Sequence, residues 1–248
     1  MSDVKKKLPI GIEDFEKMYY DDFYYIDKTG LIKELMENWA EVNLFTRPRR
    51  FGKSLNMSML EHFFSKEGDK SIFEGLEVSK DTKLCEDYMG NYPVISISLK
   101  SINADSYEKA FDFAVQILQE AAEKAQFLLE SEHLSAHDKS VYRKLLDSSM
   151  SEAVFCGGLK KLSGLLEKHY GTKVILLIDE YDVPLAKAFE GGYYDRMVFL
   201  IRNLLEQALI ILIPFLLQML ISMNISDLQI RKCGICWHIM SVLKSIRL

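Results

Sequence analysis

The chain has 248 residues, enough for a full hydrophobic core, and its 48% hydrophobic and 27% charged content is that of a soluble globular protein. A net charge of −5 and a pI near 5.6 exclude a general electrostatic footprint for nucleic acid. The lysine-bearing start, Met1 to Ile10, has no apolar signal-peptide core, and the four cysteines make no disulfide framework, so a reducing cytoplasm is expected.

The first segment, Leu8 to Leu35, is rich in Tyr, Phe, Asp and Ile and ends in a predicted helix from Thr29. It carries the cluster Tyr24-Tyr25-Ile26-Asp27-Lys28-Thr29, and spacing alone assigns no function to Asp27 or Lys28. A predicted strand at Val42–Thr46 feeds Arg47-Pro48-Arg49-Arg50-Phe51-Gly52-Lys53-Ser54, and a predicted helix follows over Lys53–Ser65. Strand, loop and helix in this order are the setting in which Gly-Lys-Ser binds phosphate. Backbone N–H groups at the helix start wrap the anion, the lysine reaches the β- and γ-phosphates, and the serine hydroxyl holds Mg²⁺. Arg47 stands where the usual pattern has its first glycine. Arg49 and Arg50 read either as solvated surface or as phosphate contacts, and their place inside the loop favours contact by at least one, since guanidinium forks match phosphate oxygens.

Glu67 to Met89 reads as polar and irregular, and Pro93–Leu99 alternates as a strand. Tyr107 to Leu129 has apolar residues at helical spacing, and after a charged connection a helix is expected from about Glu152 to His169, ended by Gly171. Val174–Ile178 is an unbroken apolar run suited to a strand buried on both faces, and it leads into Asp179-Glu180. Alternating strands and helices give an α/β fold with a parallel sheet flanked by helices.

An apolar strand ending in two carboxylates supplies the other half of a phosphate-transfer site. Asp179 is the expected partner of Ser54 in holding Mg²⁺, and Glu180 the base for the attacking water. Either motif alone is commonly an ordinary loop or a solvated strand end. Their order and spacing together favour the functional reading. Asp182 is expected to cap the next helix.

On these residues the chain resembles the bacterial AAA-ATPase-like family, P-loop NTPases related to archaeal STAND-type ATPases. The likeness rests on Leu8-Pro9-Ile10-Gly11, Tyr25-Ile26-Asp27-Lys28-Thr29, Arg47 through Leu55, and Leu177-Ile178-Asp179-Glu180-Tyr181-Asp182, and covers about Leu8 to Gln207. Within it the missing loop glycine is a family feature. The resemblance implies a P-loop sheet in the order fifth, first, fourth, third, second strand. Val42–Thr46 is then the first strand, Val94–Leu99 the second and Val174–Ile178 the third. It implies ATP and Mg²⁺ as cofactors, with Arg49, Arg50, Phe51, Gly52, Lys53, Ser54 and Leu55 around the nucleotide. Ser54 and Asp179 would hold the metal, and Lys53 and Glu180 would be catalytic. The expected activity is ATP hydrolysis; a non-hydrolysing nucleotide switch or an inactive relic are the alternatives. Family members usually continue with a sensor strand, a helical region and often a PD-(D/E)XK nuclease-like domain, through which nucleic acid would become a partner. None of these is recognisable here, so an incomplete P-loop domain is expected over residues 1–207.

From about residue 208 the composition changes. Ala208 to Met223 is almost wholly apolar, broken by Pro214, Gln218 and Ser222, and is too short and interrupted for a spanning helix. We read this tail, residues 208–248, as the product of a shifted reading frame. Back-translating Lys232–Ser241 from each codon's third base permits VRDLLAYYER, a family-like peptide. On that reading the Cys233-x-x-Cys236 pair and His238 form no metal site.

Overall fold

The computed structural model describes residues 6–38 and 52–209. In chain order its helices and strands are α1 (Phe15–Tyr20), α2 (Gly30–Glu37), α3 (Lys53–Phe64), α4 (Thr82–Tyr88), β1 (Val94–Ser98), α5 (Tyr107–Glu123), α6 (Ala136–Leu145), α7 (Glu152–Cys156), α8 (Gly158–Tyr170), β2 (Ile175–Asp179), α9 (Val183–Glu190) and α10 (Tyr194–Leu209). Four short 3-10 turns join them, at Lys70–Phe73, Glu77–Lys80, Leu99–Ser101 and Gln126–Leu129. The fold is α/β and mostly helical, and β1 and β2 pair as a parallel two-stranded sheet. This pairing joins the second and third strands of the expected order. The expected first strand, Val42–Thr46, lies outside the described residues, as does all of the tail beyond residue 209. No helix among the described residues is long and apolar enough to cross a membrane.

The described residues form two compact units, one of 6–38, 52–97 and 166–179, the other of 98–165 and 180–209. In the first, an aromatic and aliphatic core gathers Phe15, Ile32, Met59, Leu60, Phe63, Phe64, Ile72, Phe73, Val78, Leu84 and Leu177. Phe73 stacks on Phe15 with ring centres 5.3 Å apart and meets Phe63 edge-on at 5.4 Å. Helix α3 lies against α1 and β2, so the helix that follows the Gly-Lys-Ser triplet is pinned to the strand that ends in Asp179.

The Glu67–Met89 segment is more ordered than its polarity suggests. Asp69 accepts from the Ser71 amide at 2.8 Å and Asp81 from the Leu84 amide at 3.2 Å, starting the Lys70–Phe73 turn and α4. The turns expose the polar residues and drive Ile72, Phe73, Val78 and Leu84 inward. Apolar residues spaced for short turns rather than for one helix carry no long periodic signal.

A polar clamp fixes the Asp27–Thr29 corner. The Asp27 carboxylate accepts from the Thr29 amide and hydroxyl at 2.8 and 2.7 Å and from the Glu77 amide at 2.7 Å. The Thr29 hydroxyl in turn accepts from the buried Val78 amide at 3.1 Å. Burial pushes the Asp27 carboxyl up, but these donors outweigh it and hold the group below its ordinary value. Thr29→Val keeps the shape and leaves the Val78 N–H without its acceptor. We expect a loss of ~1–3 kcal/mol in urea unfolding, the penalty of an orphaned buried donor. An unchanged midpoint would show that the clamp adds nothing.

The second unit is built on α5, whose apolar face buries Ala110, Ala114, Val115, Leu118 and Ala122. Tyr142 of α6 is wholly buried and donates its hydroxyl to the Ala122 carbonyl at 2.6 Å; burial pushes its pKa up to about 12. Helix α6 arises in what reads as a charged connection. Its start is a reciprocal capping box between Ser135 and Asp138. The helix expected over Glu152–His169 is instead two, broken at Gly157. A Cβ at Gly158 would stand 2.3 Å from a Leu118 methyl, so that glycine permits the close approach of α8 to α5. Helix α10 packs on α7 and α9, and Arg196 lies over the Tyr107 ring, 3.6 Å from its centre.

Candidate functional site

Gly52 precedes α3 in the left-handed region, φ 74° and ψ 29°, where a side chain would be strained. It turns the chain so that Lys53, Ser54 and Leu55 open the helix. No side chain caps this helix start and no acidic residue lies in its first turn. The first amides of a helix have no intrahelical acceptor, and the helix dipole places partial positive charge there. Anions suit such an end.

The Ser54 hydroxyl donates to Asp179 Oδ2 at 2.7 Å across 125 residues of sequence. The structure thus brings together the two residues that sequence reasoning named as metal ligands, one at the start of α3 and one at the carboxyl end of β2. Ligands of parallel α/β sheets bind at the carboxyl ends of strands.

Glu180 follows at once and has φ 54°, a left-handed value that is uncommon outside glycine. Its carbonyl accepts from the Val183 amide at 3.1 Å, turning the chain from β2 toward α9. Asp182 sits at the cap position of α9 but makes no capping hydrogen bond, contrary to the expectation from sequence. At φ −80° and ψ −22° it is already helical, so its carboxylate does not fold back onto the first turn. Arg49, Arg50 and Phe51 lie outside the described residues, as do Cys233, Cys236 and His238.

Lys28, to which sequence reasoning gave no role, ends at the same loop. Its Nζ is 3.7 Å from where a Cβ on Gly52 would stand. Its only sequence signal is its place in Tyr25-Ile26-Asp27-Lys28-Thr29.

A family model for predicted AAA-ATPases matches residues 9–229. The chain belongs to this AAA-ATPase-like family. The match runs beyond Gln207, where the resemblance read from the sequence ends, and into the apolar stretch. An uncharacterised protein encoded in the 5′ region of vnfD in Azotobacter chroococcum mcd 1 is 31% identical over 182 residues, covering 73% of this chain. The chain spans 30% of that protein's length by the same match. No solved structure matches this chain. Membership of the AAA-ATPase-like family agrees with nucleotide binding in general terms.

Proposed function

We propose that the chain binds ATP with Mg²⁺ and hydrolyses it. The observation that carries this reading is the 2.7 Å contact between Ser54 and Asp179. A hydroxyl and a carboxylate are hard oxygen donors. Mg²⁺ is usually held by one or two protein ligands, its shell completed by water and substrate phosphates. Among the described residues no group of three or more His, Cys, Asp or Glu could hold a metal unaided, and a two-ligand site needs none. When bound, Mg²⁺ would neutralise charge on the β- and γ-phosphates.

The chain's own residues divide the remaining work. The α3 amides and Lys53 bind and orient the phosphates, joined by Arg49, Arg50 and Phe51 of the loop, while Gly52 and Leu55 shape its end. Glu180, one residue beyond the metal-holding carboxylate, takes the proton of the attacking water. The left-handed backbone at Glu180 supports this assignment, since strained residues concentrate at active sites.

Asp179→Asn keeps the hydrogen bond to Ser54 possible and removes the charge. Measured with Mg²⁺ and with EDTA, the variant should lose about tenfold or more of the Mg²⁺-dependent part of ATP affinity, equivalent to ~1.4 kcal/mol. Equal Mg²⁺ dependence in the wild type and the variant would remove Asp179 from the metal site.

A further inference from the structure

The clamp at Asp27–Thr29 leaves one group unexplained. The Lys28 backbone is held on both sides: its amide donates to the Tyr25 hydroxyl at 3.1 Å, and its carbonyl accepts from the Leu31 amide at 3.0 Å. Its neighbour Thr29 is wholly buried. The Asp27 oxygens are engaged by the Thr29 and Glu77 donors. Yet the Lys28 side chain is exposed and runs to Gly52, at the mouth of α3. It forms no ion pair with a carboxylate of the described residues.

An ammonium set at this point adds positive charge at the Gly52 end of a helix start with no side-chain cap and no acid in its first turn. The positive end of the helix dipole and the Lys28 ammonium both favour an anion at this point. Gly52 has no side chain to shield that anion from Lys28. The backbone beneath this ammonium is already fixed, which removes that part of the ordering cost of binding.

We propose that Lys28 is a second phosphate-binding lysine, donating from Nζ to the polyphosphate of a nucleoside triphosphate at the Gly52 end of the loop. This rests on the nucleotide reading above. The Asp27–Thr29 clamp then serves to present Lys28, which gives the Tyr25-to-Thr29 motif a role.

The test uses the full chain and four proteins: wild type, Lys28→Gln, Lys28→Arg and Lys53→Ala. MgATP affinity is measured across a salt series, beside the melting temperature without nucleotide. Lys28→Gln should bind MgATP about tenfold or more weakly, the loss of one charge-assisted contact, with a shallower salt dependence than wild type. Lys28→Arg should recover most of the affinity, and both variants should melt with the wild type when nucleotide is absent.

Wild-type affinity and salt dependence in Lys28→Gln, with binding lost in Lys53→Ala, would overturn the role of Lys28 and leave the nucleotide reading standing. An equal drop in nucleotide-free melting temperature in both Lys28 variants, with affinity falling alike, would make Lys28 structural and overturn the proposal. Failure of the wild type to bind MgATP would remove the nucleotide reading itself, and the role of Lys28 with it.

Discussion

Glu180→Gln should bind MgATP as the wild type does and release phosphate about 10²–10⁴-fold more slowly, the usual contribution of a positioned general base. The amide matches the carboxylate in shape but cannot take a proton at neutral pH. A second substitution separates the side chain from the backbone. Residues in the left-handed region cost ~1–2 kcal/mol, which glycine escapes while adding ~0.5–1 kcal/mol of unfolded-state entropy. Glu180→Gly should therefore stay within ~1 kcal/mol of wild-type stability and be as slow as Glu180→Gln. Single-turnover phosphate release on both variants gives the answer. Wild-type turnover in Glu180→Gln would reject the base. ATP held by the wild-type chain with no phosphate release would instead identify a nucleotide switch.

The second large effect is on stability. Phe73 is fully buried between Phe15 and Phe63, so truncating it opens a cavity where α1 and α3 meet the Lys70–Phe73 turn. Phe73→Ala should lose ~3–5 kcal/mol in equilibrium unfolding, and Phe73→Leu less, because it refills part of the space. A loss below ~1 kcal/mol would mean the turn is not part of the core. At a temperature where the variant remains folded it should still bind MgATP, since Phe73 is part of the core beneath α3 and not of the loop.

The parts of this fold that sequence made legible are those with a strong local period. The alternation over Val94–Ser98 and the apolar run ending at Asp179 mark both described strands, and Gly52-Lys53-Ser54 marks the start of α3. The meeting of Ser54 with Asp179 was readable because one opens the helix after the loop and the other ends a parallel strand, positions that face each other in such a fold.

What escaped was set by tertiary context. The Lys70–Phe73 and Glu77–Lys80 turns are too short for a periodic pattern, although Asp69 and Asp81 were capping signals in plain view. Helix α6 has a polar exposed face, and only Tyr142 and Leu145 tie it to the core. The close approach of Gly158 in α8 to Leu118, just after the break at Gly157, is a contact that no spacing rule encodes. Lys28 was missed because its meeting with Gly52 joins two segments of the chain separated in sequence.

Calorimetric titration of ATP into the full chain, once with Mg²⁺ and once with EDTA, tests most directly whether Ser54 and Asp179 mark a magnesium–nucleotide site. A single saturable, Mg²⁺-dependent binding event is expected, lost in Lys53→Ala and accompanied by a rise in the wild-type melting temperature. No binding heat and no change in melting temperature with MgATP would contradict it.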